Sequence, residues 1–387
     1  MTIRHFRLAA ATLVLGASLG AWSVYGNAAP ATGPVSVTAV APAPDAGAIV
    51  PGQYSYAPIV DKVAPTVVTI RAEQRVRVAQ QYPFSNDPMF RRFFGDRLPQ
   101  ERPFQRREGA LGSGVIVKAD GYILTNHHVV DGADRITVEL TDGRSFKATV
   151  VGTDAPSDLA VLKIEGDNFP ALALGNSDQV RVGDVVLAVG NPMGVGQTVT
   201  MGIVSAKGRA TGLGDGSFED FLQTDAPINQ GNSGGALVNM RGELVGINSQ
   251  ILSPSGGNIG IGFAIPANMA QSVFVSLVSD GRVHRGMLGV TVQSVTADMA
   301  ETLKLDSVRG ALVNGVQPDG PAAKAGIEKG DVITAVNGVA VTDSNAVRNH
   351  VAQLKPGSKA ELTIIRDGRE QKLMATLDEL PTQTETE

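Results

Sequence analysis

The sequence predicts a mostly β protein, and three observations carry that reading. Short runs rich in β-branched residues recur at close spacing from Leu111 onward, separated by turn pairs such as Asp120-Gly121 and Asp142-Gly143. The same stretch lacks the period of an amphipathic helix. A second set of such runs follows between Asp184 and Asn248, and after Asp280-Gly281 the pattern restarts as a separate, smaller unit.

Composition bounds what the chain can do. Its 387 residues suit two or three domains with substantial cores. A formal charge of -5 argues against nucleic acid as the main partner, because proteins that track phosphates carry a basic surplus. The absence of cysteine removes thiol catalysis, disulfides and cysteine-ligated zinc together.

Taken in order, the chain opens with Arg4, His5 and Arg7 before an apolar run from Leu8 to Tyr25, the layout of an export signal. The run is nearly long enough to span a bilayer, and Gly26-Asn27-Ala28 is a small-residue cleavage site, so residues 1–27 read either as a cleaved signal or as an inner-membrane anchor. Residues 28–57 are a flexible Ala/Pro-rich tether. Val63 to Ile70 reads as a helical lead into the first strand, and Gln80 to Glu108 as a long loop whose phenylalanines need a partner to pack on. Strands are expected at Gly114–Val117, Tyr122–Leu124, Arg135–Leu140 and Lys147–Val151, then at Asp184–Gly190, Gln197–Ser205 and Glu243–Asn248. Two β-barrels fit this count. Ala267 to Ser279 reads as a helix that closes a first domain, residues 58–279; a second domain, residues 280–380, and a polar tail, 381–387, follow.

Chemistry concentrates at Asp225 to Leu237. In Gly231-Asn232-Ser233-Gly234-Gly235 a serine stands among glycines, as a nucleophile beside converging backbone N–H groups would; a plain glycine-rich turn is the other reading. A serine needs a base, and the chain holds five histidines. His5 lies in the basic leader, and His284 and His350 lie in or beside the second domain, which leaves the pair His127 and His128. Asp158, at the head of the apolar run Leu159 to Leu162, supplies an orienting acid; Asp154 is its competitor. The order His, Asp, Ser is that of chymotrypsin-type proteases, whereas α/β-hydrolases run Ser, Asp, His.

The blocks Thr125-Asn126-His127-His128-Val129-Val130, Ser157 to Leu162 and Gly231 to Leu237, in that order, resemble those of the HtrA/Deg family of serine proteases, single-PDZ (DegS-like) type. The resemblance runs over residues 58–380. It implies a chymotrypsin-like double β-barrel protease domain followed by one PDZ domain. The family pattern Thr-Asn-x-His makes His128 the base, a choice that spacing alone does not make, with Asp158 as orienting acid and Ser233 as nucleophile. Gly231, Asn232 and Ser233 become the oxyanion hole, the N–H groups of Gly231 and Ser233 donating. Ile228 and Leu252 match positions of the primary specificity pocket, which implies a small aliphatic residue before the cut. Ser249, Gln250, Ile251, Leu252 and Ser253 would run along the substrate backbone. The loops Gly212 to Asp220 and Ser253 to Asn258 match switching loops, and Arg209 is either their relay or a solvated surface residue. Leu288, Gly289, Val290, Thr291 and Val292 match the carboxylate-binding loop and peptide-accepting strand of a PDZ domain, supported by Gly320 to Gly326, Lys329 to Ile333 and Val336-Asn337-Gly338. Thr342 to Leu354 should be its second helix, with Ala360 to Arg366 and Gln371 to Leu377 as a hairpin.

The resemblance implies an ATP-independent periplasmic endopeptidase that needs no metal or other cofactor. Its expected partners are unfolded or membrane-bound protein substrates, C-terminal peptides at the PDZ domain and two further copies in a homotrimer. Regulated cleavage of an anti-sigma factor in envelope stress is the first reading and general degradation of misfolded envelope proteins the second. A chaperone or peptide-binding scaffold is the reading from another class, against which the complete set of His128, Asp158 and Ser233 stands.

Overall fold

A computed structural model describes residues 55–78, 104–191, 196–212, 217–229, 231–252 and 257–381. The expected signal or anchor, most of the tether, the loop expected over Gln80 to Glu108 apart from its last residues, Ser253 and nearly all of the polar tail lie outside them. A short helix, α1 (Ala57–Val63), starts at Pro58 and runs through a 3-10 turn into the first barrel. That barrel is built from β1 (Val67–Val78), β2 (Phe104–Lys118), β3 (Tyr122–Thr125), β4 (Arg135–Glu139), β5 (Ser145–Asp154) and β6 (Leu159–Ile164). It closes in the order β1-β2-β3-β6-β5-β4, every pair antiparallel. Between β3 and β4 lies one helical turn, α2 (His127–Val130).

The second barrel repeats the plan with β7 (Val185–Gly190), β8 (Thr198–Arg209), β9 (Phe221–Thr224), β10 (Ala236–Asn239), β11 (Leu244–Ile251) and β12 (Gly262–Pro266), closed as β10-β11-β12-β9-β8-β7. One apolar cluster joins the two barrels. Val115, Leu124, Leu159 and Val161 of the first pack with Leu187, Val189, Val238 and Ile247 of the second, and α3 (Ala267–Asp280) inserts Ala270, Val273 and Leu277 into the same cluster. Each fully buried Val or Leu of this kind is worth about 1.5–3 kcal/mol, so the cleft between the barrels has rigid walls.

The C-terminal part has its own core around Leu288, Val313, Ile333, Val347, Leu362 and Ile364. Its strands are β13 (Gly286–Met287), β14 (Val290–Ser294), β15 (Ala311–Val316), β16 (Val332–Val336), β17 (Val339–Ala340), β18 (Lys359–Arg366), β19 (Arg369–Thr376) and β20 (Asp378–Glu379). The helices among them are α4 (Ala297–Thr302), α5 (Pro321–Lys324) and α6 (Ser344–Gln353). The main sheet runs β14-β15-β16-β18-β19, which leaves β14 at an edge. Helix α6 begins where Asp343 accepts a hydrogen bond from the Ala346 N–H at 2.8 Å, two residues later than the sequence pattern suggests, and it packs against β14.

Candidate active site

The end of β3 lies beside the start of β6, with Thr125 paired to Ala160, so the segments that follow β3 and precede β6 meet at the mouth of the cleft. His128 leaves the first of these and Asp158 the second. Its Nδ1 stands 2.9 Å from both carboxylate oxygens of Asp158, and its backbone N–H donates to Asp158 Oδ1 at 3.1 Å. Ser249 Oγ donates to Asp158 Oδ2 at 2.8 Å. Asp158 itself has φ 54° and ψ 43°, a left-handed conformation that aspartate tolerates better than most residues, at the end of the 3-10 turn Ala155–Ser157. Asp154 is buried and does different work. It caps that turn by accepting from the Ser157 N–H at 3.2 Å and from the Ser157 hydroxyl, and it pairs with Arg285 at 2.8 and 2.5 Å.

His127, on the same turn as His128, faces away. Its Nε2 lies 3.7 Å from Asp131 and its buried Nδ1 has no partner among the described residues.

Ser233 follows a turn closed by the Asn232 N–H donating to Asn229 O at 2.9 Å, whose third residue, Gly231, has φ 97° as glycine does in a type II turn. Among the described residues the N–H groups of Gly231 and Ser233 donate no hydrogen bond, so two neighbouring donors remain open beside the Ser233 hydroxyl. Asn232 does not belong with them as a donor, because its N–H is already spent on the turn. Two hydrogen bonds from Ser113 fix the loop: its N–H donates to Ser233 O at 2.8 Å and its hydroxyl to Gly231 O at 2.7 Å. The glycines are steric requirements here. A Cβ at Gly234, where φ is 81°, would stand 2.1 Å from Ser113 O, and one at Gly235 would stand 2.3 Å from Val189 O.

Ser233 Oγ donates to Ser249 O at 2.9 Å, and no hydrogen bond joins it to His128. Both side chains line the same cleft. The arrangement brings a serine hydroxyl, an imidazole and a carboxylate to one cleft, with the hydroxyl turned toward β11.

A cleft of about 650 Å³ opens over these groups, lined by His128, Asp158, Ser233 and Ser249 together with Pro156, Phe218, Phe221, Ile228, Gln250 and Ile251. Ile228 is buried, and a Cβ on Gly262 would meet its side chain at 3.0 Å, so Ile228 closes the floor. Leu252 departs from expectation. It is 46% exposed and is not among the residues that line the cleft, although its N–H still donates across to Ile261 O at 3.2 Å. Ser249 sits at a bulge in the pairing of β11 with β12, which turns its carbonyl toward Ser233. Arg209, paired in the ladder with Phe221, makes no side-chain hydrogen bond among the described residues, which favours the solvated-arginine reading.

Sequence reasoning passed over the residues that join the two domains. Glu219 is buried; its carboxylate accepts from the Thr211 N–H and hydroxyl and from the Gly212 N–H at 3.2 Å. Its carbonyl accepts from Asn345 and Asn349 of α6, each at 2.6 Å. The guanidinium groups of Arg285 and Arg348 lie 4.4 and 4.9 Å from the ring centre of Phe218. Beside them, burial and the nearby Asp178 and Asp343 push Asp220 up to about 6, against the pull of Lys207.

Comparison with known proteins bears on both domains. The model of the trypsin-like peptidase domain matches residues 112–247 and that of the PDZ domain residues 286–377. The periplasmic pH-dependent serine endoprotease DegQ of Escherichia coli is 46% identical over 340 residues, 86% of this chain and 73% of DegQ. The chain belongs to the HtrA/Deg family of serine proteases. The probable periplasmic serine protease do/HhoA-like of Haemophilus influenzae is 47% identical over 82% of this chain and 70% of its own length. Among solved structures, the HtrA-type protease AlgW with a decapeptide is 50% identical, with a TM-score of 0.65 over 85% of this chain and 100% of AlgW. As an HtrA/Deg protease the chain is a serine endopeptidase of mostly β fold, two six-stranded barrels followed by a PDZ domain.

Proposed function

We propose that this protein is an exported endopeptidase whose cutting is controlled by peptides at its PDZ domain, and that Ser233, His128 and Asp158 are its nucleophile, base and orienting acid. His128 takes the Ser233 proton as the hydroxyl attacks the scissile carbonyl, then returns it to the leaving amine, while Asp158 holds the tautomer. The N–H groups of Gly231 and Ser233 receive the oxyanion. With Ile228 closing the floor of the cleft, the residue before the cut is small and aliphatic.

The observation that carries the regulatory reading is the double duty of α6. One part of the helix faces edge strand β14, where a peptide can add as a further strand, and Asn345 and Asn349 hold Glu219, a residue of the catalytic cleft. The carboxylate of such a peptide has a receptor in the loop before β14: the N–H groups of Leu288 and Gly289 donate no hydrogen bond among the described residues, and Gly289 has φ 75°. HtrA-type relatives have been solved with a decapeptide and a tripeptide, which supports peptide binding here. The relatives' periplasmic names support export through the N-terminal segment. In this reading the protein works as a homotrimer in the envelope stress response, cutting a membrane-bound anti-sigma factor.

Titration of the full chain with peptides ending in an apolar residue, free or amidated at the C-terminus, tests this against casein and a membrane-bound substrate. The free form is expected to bind and to raise cleavage of the membrane-bound substrate, and the amidated form to do neither. Equal binding of both forms would remove the carboxylate loop. Rapid digestion of casein without peptide would favour general quality control, and absence of any cleavage the scaffold reading.

A further inference from the structure

We propose that Asn126 is a positioning residue of the reaction: its side-chain amide holds the main chain of Asp158 so that the carboxylate meets the His128 ring. The inference rests on the assignment of His128, Asp158 and Ser233 made above.

The main-chain ladder between β3 and β6 ends with Thr125 opposite Ala160. Beyond it the two chains part, since α2 turns away at His127 and Asp158 is left-handed. Asn126 replaces the missing rung. Its Nδ2 donates to the Asp158 carbonyl at 2.9 Å. Three groups hold the Asp158 carboxylate, namely the His128 N–H, His128 Nδ1 and the Ser249 hydroxyl. Its main chain is held, among the described residues, only by Ala155 O, which accepts its N–H at 3.0 Å, and by Asn126. A left-handed aspartate persists only where its surroundings over-determine it, and the Asn126 bond is one of those two restraints.

Two further features set Asn126 apart from a residue kept for packing or capping. It stands at the N-cap of α2, where an asparagine side chain ordinarily accepts from an N–H two or three residues on, yet it makes no such bond. It is also completely buried, and its Oδ1 has no partner among the described residues. Burying an amide oxygen without a donor is unfavourable, so an apolar side chain of the same branching would suit the place as well for stability. What asparagine alone adds is the donor to Asp158.

The test compares Asn126→Leu, Asn126→Ala and His128→Ala with the wild type, all as full chains, on a peptide substrate. Asn126→Leu keeps the branching and size of the side chain and removes only the amide, so its Tm is expected to match or exceed that of the wild type. Its kcat should nevertheless fall about 10- to 100-fold with KM within about twofold. The acid limb of kcat/KM should move as well, because the carboxylate that stands 2.9 Å from the His128 ring is no longer held in place. A purely structural residue would not move that limb. Wild-type kcat and an unmoved limb in Asn126→Leu would overturn the proposal, as would a loss of kcat matched by the loss of titratable active sites with an unchanged limb. Asn126→Ala should show the same shift of limb in its folded fraction. Activity that survives in His128→Ala would instead bring down the assignment of the base.

Discussion

Asp158 shows what a single residue does in this site. Its left-handed backbone costs about 1 kcal/mol or more, yet it places the carboxylate on Nδ1 of a histidine 30 residues away in sequence. Because nucleophile, base and acid act as a unit, Ser233→Ala and His128→Ala should each lower kcat by about a thousandfold or more, while His127→Ala, whose ring faces Asp131, keeps most activity. Steady-state assays on variants with wild-type circular dichroism check this. Residue types and their order were enough to nominate Ser233, Asp158 and the pair His127 and His128, in a chain with five histidines; the choice of His128 within the pair came from the family resemblance. Ser113 was illegible. Its hydroxyl reaches across 118 residues to Gly231 O, and a hydrogen bond at that separation leaves no local pattern. Nor could the sequence announce that Leu252 stands half exposed.

At the scale of elements, α6 meets Phe218 and Glu219, and Glu219 in turn holds Thr211 and Gly212. If the α6 clamp transmits peptide binding, the double variant Asn345→Ala/Asn349→Ala should bind a C-terminal peptide within about twofold of the wild type, while its activation by that peptide falls at least about fivefold. Fluorescence anisotropy and a peptidase assay read the two quantities separately. Asp220 follows Glu219 in the chain, held near 6 first by burial and then by Asp178 and Asp343. A carboxyl raised in this way binds its proton more tightly in the folded state than in the unfolded one. Its unfavourable contribution is therefore absent below the unfolded value near 4 and fully present above about 6. Asp220→Asn should thus raise stability at pH 7 by about 1–2 kcal/mol, and denaturant titrations should show the gain vanish by about pH 4. The long strands were legible from alternation and Asp-Gly turns. The four-residue strands β9 and β10 were not: β3 is as short but directly follows the turn pair Asp120-Gly121, whereas no Asp-Gly pair stands directly before β9 or β10.

At the scale of the molecule, two closed barrels leave no free edge, whereas the open sheet of the PDZ domain ends in two edge strands, β14 and β19, of which β14 follows the Leu288-Gly289 loop. This division suits a protein that encloses its chemistry between rigid barrels and receives a regulatory strand elsewhere. The two-domain plan was readable because each domain restarts its own hydrophobic pattern. The interface between them was not, since Arg285, Asn345 and Asn349 look like ordinary surface residues until the fold brings them to Asp154 and Glu219. The central claim is that one serine, activated by His128, performs the cleavage. A fluorophosphonate probe followed by peptide mapping tests it most directly. The account predicts a single adduct on Ser233, absent in Ser233→Ala and strongly slowed in His128→Ala. An adduct on another serine, or undiminished labelling of Ser233 without His128, would contradict it.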